Sequence, residues 1–118
     1  GTGYIHPETG GIRLRIYEAC PETATFIAKK DGEVVGVLSV VLDSRELGLP
    51  SDAAFKVELD ALRETGDRLC EVTNQAVAKE YRRSALLTEL MRCAIAYMLD
   101  AGCDRAIATV SPVVSVRT

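Results

Sequence analysis

The segment from Arg68 to Val110 most constrains the fold, because it predicts a strand, a helix and a second strand at close spacing. Residues 68–77 are rich in apolar and β-prone side chains, with Glu71 in their middle. A helix with a wide apolar stripe is predicted from about Ser84 to Asp100, and Arg105–Val110 is typical of a short buried strand. A unit of this kind joins two parallel strands through a right-handed crossover. The chain therefore needs a sheet with at least one parallel pair.

A hairpin is predicted upstream of this unit. Thr23–Lys30 and Glu33–Leu42 are β-prone segments separated by Asp31-Gly32. This dipeptide is a strong hairpin signal, since both turn residues must accept a positive φ. Ile12–Tyr17 alternates apolar and polar side chains, which predicts an edge strand.

A helical insert is predicted between the hairpin and the strand that carries Glu71. The connector 43–50 ends at Ser51 and Asp52, and either side chain can cap the helix that follows. We expect this helix at about Ala53–Glu64. Its apolar face is predicted from the helical spacing of Phe55, Leu59 and Leu62.

Length and composition indicate one soluble domain covering residues 1–118. Apolar residues make up 47% of the chain, charged residues 26%, and the net charge is -3. Nucleic acid is not an expected partner, because no basic footprint is present. No apolar run reaches the roughly 20 residues that span a bilayer, and the first residues lack the features of a signal peptide. We therefore expect a cytoplasmic protein.

The four cysteines predict no metal centre. Cys20, Cys70, Cys93 and Cys103 are scattered without a close pair, and His6 is the only histidine. A zinc site needs paired ligands at short spacing. We expect all four cysteines to be structural, with Cys70 and Cys93 as small buried apolar groups.

The turn before the long helix predicts an anion site. Backbone N–H groups at a helix start and the helix dipole attract phosphate, and Arg82 and Arg83 add positive charge. Upstream, Glu71 could accept a proton from a nucleophile brought alongside the strand. Both features also have plain structural interpretations: solvated arginines with Ser84 as an N-cap, and an exposed glutamate in a surface ion pair.

The order of elements resembles the central part of the GNAT acyltransferase fold. Within that superfamily the chain is similar to the N-acyl amino acid synthases, which are related to the acyl-homoserine-lactone autoinducer synthases. Three segments carry the resemblance, which extends over roughly residues 23–112: Val40-Val41-Leu42-Asp43-Ser44, Leu47-Gly48-Leu49-Pro50-Ser51-Asp52, and Cys70-Glu71-Val72-Thr73-Asn74-Gln75-Ala76-Val77.

The resemblance implies an α/β (α+β) fold with a mixed, centrally splayed sheet and flanking helices. It implies that N- and C-terminal elements of the family are missing here. In the superfamily the phosphate-binding turn has the pattern Arg/Gln-x-x-Gly-x-Gly/Ala. The corresponding residues 82–87 keep Arg82 and lack both glycines, and Asn74 replaces an arginine frequent in such families. Loss of these glycines favours a carrier-protein donor, which presents one phosphodiester rather than a pyrophosphate.

The resemblance also implies an enzyme that moves a fatty acyl group from acyl carrier protein, or from acyl-CoA, to the amine of an amino acid. Glu71 would be the catalytic base, and no cofactor would be bound permanently. The phosphopantetheine donor would contact the backbone of Val77 and the turn formed by Arg82, Arg83, Ser84, Ala85, Leu86 and Leu87.

The acceptor amine would be contacted by Asp43, Ser44 and Thr73, although Asp43 and Ser44 could equally serve only to cap a turn. Two other functions remain open: an acetyl-CoA-dependent acetyltransferase for small molecules, and a non-catalytic degenerate GNAT domain that binds an acyl ligand. The sequence also leaves open a homo-oligomer.

Overall fold

One mixed sheet organises the protein in a computed structural model that describes residues 2–7 and 11–108. In this part of the chain the sheet has six strands, and their order across the sheet is their order along the chain. The strands are β1 (Thr2–Pro7), β2 (Ile12–Cys20), β3 (Thr23–Lys30), β4 (Glu33–Leu42), β5 (Leu69–Val77) and β6 (Arg105–Ala108).

The pairing of the strands confirms the two sequence signals for the sheet. β1 to β5 pair antiparallel, and Asp31 and Gly32 form the β3–β4 turn with φ of 52° and 81°. β5 and β6 pair parallel, as the strand–helix–strand pattern predicts. The edge position predicted for Ile12–Tyr17 is wrong, because β1 pairs with the free side of β2. The predicted end of β6 at Val110 lies outside the described residues.

Helix α2 (Leu86–Asp100) covers one face of the sheet and builds the larger core. Only half of its predicted apolar stripe is buried. Leu86, Leu90, Ala94 and Met98 form a buried ridge against the sheet. Leu87, Ile95 and Leu99 are exposed. No helix in the described part of the chain has the length and apolarity that a membrane crossing requires.

Helix α1 (Asp52–Glu64) belongs to the insert and lies on the opposite face, close to its predicted bounds. A second, smaller core joins Leu59 of this helix to Leu49 and to Leu69 of β5. Phe55 does not join it, contrary to the prediction, and is 47% exposed. The reason is a break in the helix at that residue, whose φ of -131° and ψ of 34° turn its side chain off the predicted face.

A disulfide between Cys70 and Cys103 ties β5 to the segment that joins α2 and β6. Burial of Cys70 is as expected, but its pairing is not: the two residues are 33 positions apart, and only the βαβ crossover brings them together. Cys20 carries a free thiol, and Cys93 is only partly buried. The structural role expected of Cys70 and Cys103 is therefore that of a disulfide, and Cys70 is not a lone apolar group.

Reduction of the disulfide should lower the free energy of unfolding by about 3–4 kcal/mol, because a closed loop of this length restricts the unfolded chain. Urea unfolding of the Cys70→Ser/Cys103→Ser variant measures the loss, with Cys20→Ser as the matched control. Under denaturing, non-reducing conditions iodoacetamide should leave Cys70 and Cys103 unlabelled. Labelling of both residues, with equal stability of all three proteins, would contradict the pairing.

Candidate active site

Glu71, the third residue of β5, is held in the interior and is 1% exposed. It lies between Val41 of β4 and Ile107 of β6 in the sheet. Both carboxylate oxygens accept hydrogen bonds from Ser51, which donates its backbone N–H to Oε1 at 2.9 Å and its hydroxyl to Oε2 at 2.7 Å. The carboxylate therefore occupies a fixed position under the start of α1, and the alternative of an exposed glutamate is wrong.

The insert forms a tight turn that delivers Ser51 to this position. The N–H of Gly48 bonds to the carbonyl of Ser44, and the N–H of Leu49 bonds to Oδ2 of Asp52 at 2.7 Å. Gly48 has a φ of +66°, and a Cβ on it would lie 2.6 Å from that same Asp52 oxygen. Glycine is required here on both counts. The segment 48–50 therefore forms a hydrogen-bonded turn that fixes the start of α1.

Arg63 of α1 binds three aspartates, and its contact with Asp43 joins the insert to the sheet. Its guanidinium bonds both oxygens of Asp43 at the end of β4, both oxygens of Asp52 at the start of α1, and Oδ1 of Asp60, at 2.7–3.0 Å. These contacts use all five N–H donors of an arginine. Arg63 is therefore saturated, and its role is to hold the insert.

The charges in this cluster shift one another's protonation equilibria. Hydrogen bonds from Arg63 lower the pKa of Asp52 to about 2, against the opposing effect of burial. The same guanidinium lowers the pKa of Asp60. In turn, the bonds to Asp52 and then Asp43 raise the pKa of Arg63. At neutral pH Asp52, Asp60 and Arg63 are therefore all ionised.

A polar cavity of about 380 Å³ lies beside the cluster. Asp43 and Ser44, two residues predicted to contact the acceptor, line it together with Arg45, Lys56 and other residues of the insert. Ser44 Oγ accepts a hydrogen bond from the N–H of Leu47 at 3.1 Å, so it also stabilises a turn. Within residues 2–7 and 11–108 no group of acidic, cysteine or histidine side chains is arranged to hold a metal ion.

Beyond Glu71 the strand is interrupted by a bulge. Thr73 is half-buried and pairs with Ser39, whereas the next pair is Ala76 with Val37, so β5 has one extra residue at this point. Asn74 takes up the distortion with a φ of 54°, a conformation that asparagine tolerates better than most residues. The regular alternation of side chains along β5 therefore ends near Thr73.

The basic turn lies at the far end of β5. Val77 is opposite Gly36 on β4, and a short 3₁₀ turn leads to Arg82 and Arg83, which are exposed and form no ion pair with any other described residue. The predicted helix start at Ser84 is two residues early, because α2 begins at Leu86. Ser84 instead closes the turn, accepting the N–H of Leu86 at 3.2 Å and donating to the carbonyl of Tyr81.

These residues form two groups separated along β5 rather than one compact site. Asp43 bonds to the carbonyl of Leu69 at the beginning of the strand, while Val77 ends it. At about 3.3 Å per residue the two ends are roughly 25 Å apart. Glu71 and Thr73 lie between them, so a molecule that reaches from the basic turn to Glu71 must follow the strand.

Two residues of this arrangement were not identified as functional from the sequence. Ser51 was assigned as a possible cap of α1, yet neither its side chain nor that of Asp52 caps the helix. Arg63 gave only a weak local signal, its i, i+3 spacing from Asp60. Its other partners are 11 and 20 positions away, and only the fold brings them together.

Comparison with known proteins identifies the relatives of this chain. A model of the N-acyl amino acid synthase FeeM family matches residues 1–115. The solved structure of FeeM, an N-acyl amino acid synthase from uncultured soil microbes, is 26% identical to it, with a TM-score of 0.71. That match covers 83% of this chain and 53% of the FeeM chain. No curated protein sequence matches the chain.

More distant structures share the fold alone. An aminoglycoside acetyltransferase from an uncultured soil metagenomic sample is 12% identical, with a TM-score of 0.61 over 84% of this chain and 54% of its own. Glucosamine-6-phosphate N-acetyltransferase from Arabidopsis thaliana is 12% identical, with a TM-score of 0.57 over 81% and 56%. The GNAT-like mixed fold is confirmed, and the chain spans about half the length of the structures it matches.

Arg63→Lys should lower the free energy of unfolding by about 2 kcal/mol, because lysine retains the charge but cannot bind three carboxylates in one plane. Chemical denaturation measures the change. Arg92→Lys is the matched control, since Arg92 forms an exposed i, i+3 pair with Glu89, and its effect should stay below about 0.5 kcal/mol. Equal effects of the two substitutions would contradict the role of Arg63.

Acid should remove the contribution of Asp52 between about pH 4 and pH 2. Its pKa is lower in the folded protein than its usual value of 3.8. The stabilisation is therefore complete above the unfolded pKa and is lost as pH falls through the folded one, an effect of about 1–2 kcal/mol. Denaturation curves of the wild type and Asp52→Asn should converge across this window. A constant difference from pH 6 to pH 2 would contradict the assignment.

Proposed function

Since this chain belongs to the N-acyl amino acid synthase FeeM family, we propose that it transfers an acyl group from a phosphopantetheine thioester to the amine of an amino acid. The observation that carries the proposal is Glu71, a buried carboxylate fixed on the strand that leads to a basic turn. Burial of an ionisable group is costly unless the group is hydrogen-bonded or paired, and groups of this kind are concentrated at functional sites.

The donor lies along the last part of β5 in this proposal. From Thr73 to Val77 the strand pairs with β4 on one side. The extended pantetheine arm would bond to the backbone near Val77. Its phosphate would meet the N–H groups of residues 84–87 at the start of α2, and Arg82 and Arg83 would add charge.

Acyl carrier protein is the preferred donor, with acyl-CoA as the alternative. Ala85 and Leu87 stand where related turns carry glycine, so the backbone is less able to approach a pyrophosphate closely. A carrier protein needs only one phosphodiester to be bound. The exposed Arg82 and Arg83 also offer positive charge to a partner at this end of the sheet.

In the reaction the amine nitrogen attacks the thioester carbonyl and forms the new carbon–nitrogen bond. The carbon–sulfur bond then breaks, and the pantetheine sulfur leaves. Glu71 accepts the proton that the nitrogen loses, and the leaving sulfur is protonated to a thiol. No redox step and no permanently bound cofactor is needed.

The acceptor binds on the α1 face in this proposal. Thr73, the next half-buried residue along the strand from Glu71, can contact the amine or the nearby carbonyl. Asp43 and Ser44 would act at the edge of the polar cavity, where each Asp43 oxygen already bonds Arg63 and has a second lone pair to offer. Acidic and basic side chains both line this cavity, so it suits the amino group and the carboxylate of an amino acid.

Glu71→Gln should lower the rate of acyl transfer at least about a hundredfold, the usual contribution of a positioned base. The test uses the protein as its gene encodes it, with long-chain acyl carrier protein, long-chain acyl-CoA and acetyl-CoA as donors and a set of amino acids as acceptors. Thiol release and product mass are measured. Glu64→Gln, at an exposed position on α1, is the control and should keep the wild-type rate.

Each contrary result favours a different function. Faster transfer of acetyl than of long-chain groups would indicate a small-molecule acetyltransferase. Tight donor binding without turnover would indicate a non-catalytic acyl-binding domain. An unchanged rate and pH profile in Glu71→Gln would remove Glu71 from the mechanism, provided that the variant keeps the wild-type fold by circular dichroism.

A further inference from the structure

We propose that Ser51 is a positioning residue for Glu71, so that the insert, and not the strand alone, sets the geometry of the base. The inference rests on the proposed role of Glu71 in acyl transfer. It adds a residue outside the strand to the machinery of that reaction. The contact depends on two donors from one serine to one buried carboxylate.

The geometry of the contact leaves the carboxylate little freedom. A glutamate side chain has several rotatable bonds and on an open strand would sample many orientations. Here the backbone N–H and the hydroxyl of Ser51 bind different oxygens of the same group, which fixes its plane. Both residues are buried, with Ser51 7% exposed and Glu71 1%, so water does not compete freely for these bonds.

The hydroxyl of Ser51 is directed to Glu71 instead of to its own helix. Serine at this position ordinarily accepts a hydrogen bond from the first turn, which stabilises the helix by about 1 kcal/mol. In α1 that bond is absent, and Ser51 Oγ donates to the carboxylate. The helix thus gives up a local stabilising contact, and the bond that replaces it acts on the candidate base.

Ser51 is itself fixed by contacts within α1 and, through its neighbour Asp52, by contacts with the end of β4. Its carbonyl accepts the N–H groups of Ala54 and Phe55 in the first turn of α1. The next residue, Asp52, is bound by Arg63, which also binds Asp43 at the end of β4. The insert therefore reaches from β4 to β5 and holds the Ser51 donors in place over Glu71.

The chemical consequence concerns the ionised form of the base. Hydrogen bonds donated to a carboxylate stabilise its anion, which is the form that accepts a proton. Each oxygen keeps a second lone pair for the proton of the amine. Loss of the hydroxyl should therefore affect the chemical step and its pH dependence more than the binding of either substrate.

Ser51→Ala tests this in the protein as its gene encodes it. We expect kcat to fall about ten- to a hundredfold, with KM for donor and acceptor changed less than about threefold. The acid limb of the pH profile of kcat should move to higher pH. Ser51→Thr restores a hydroxyl and should recover kcat to within about threefold of the wild type. Thr65→Ala, which removes an exposed hydroxyl at the other end of α1, should leave all of these values unchanged.

Two results would overturn the proposal. Wild-type kcat and pH profile in Ser51→Ala would show that the hydroxyl does not act on the base. A fall in kcat that Ser51→Thr does not reverse, with the pH profile unmoved, would show a purely structural contribution to α1.

A second measurement separates this inference from the proposed function. In the nitrogen-15 NMR spectrum at neutral pH, Glu71→Gln should shift the Ser51 amide, because the substitution changes the acceptor of its N–H. If the wild type transfers no acyl group, the proposed function fails and the positioning role fails with it. If transfer occurs but the Ser51 amide does not respond to Glu71, the positioning role alone is wrong.

Discussion

A carboxylate in the middle of a sheet can stay buried only if the fold supplies partners for it. Glu71 has those partners in Ser51, a residue 20 positions upstream. This requirement explains much of the structure of the insert. The turn at Gly48, the start of α1 and the aspartates around Arg63 together bring one serine to the correct place on the sheet.

The two faces of the sheet are packed in different ways. On one face α2 packs a continuous apolar ridge over β3, β4 and β5 and builds the main core. On the other, the insert packs only a small core around Leu49, Leu59 and Leu69 and relies on buried polar contacts. The large core gives the sheet its stability, while the polar face orients the side chains proposed to act on the substrates.

Local patterns predicted the elements of this fold well, and contacts between distant residues poorly. The Asp31-Gly32 hairpin, the parallel pair and the insert helix each depend on a signal contained in a short segment. The disulfide, the Arg63 cluster and the Ser51–Glu71 contact join residues 11 to 33 positions apart. No local periodicity encodes such pairs. Phe55 shows a related failure, since a helix break moved its side chain off the face that regular periodicity had assigned.

In the proposed function, a buried carboxylate on β5 accepts the amine proton while an amide forms from an acyl thioester. The most direct measurement is mass spectrometry of lipid extracts from bacteria that express the gene-encoded protein or its Glu71→Gln variant. We expect new N-acyl amino acids that are absent from the variant, and their masses would identify both the acyl chain and the acceptor. Lipid profiles that match those of cells without the gene, from a soluble and folded wild-type protein, would contradict the proposed function.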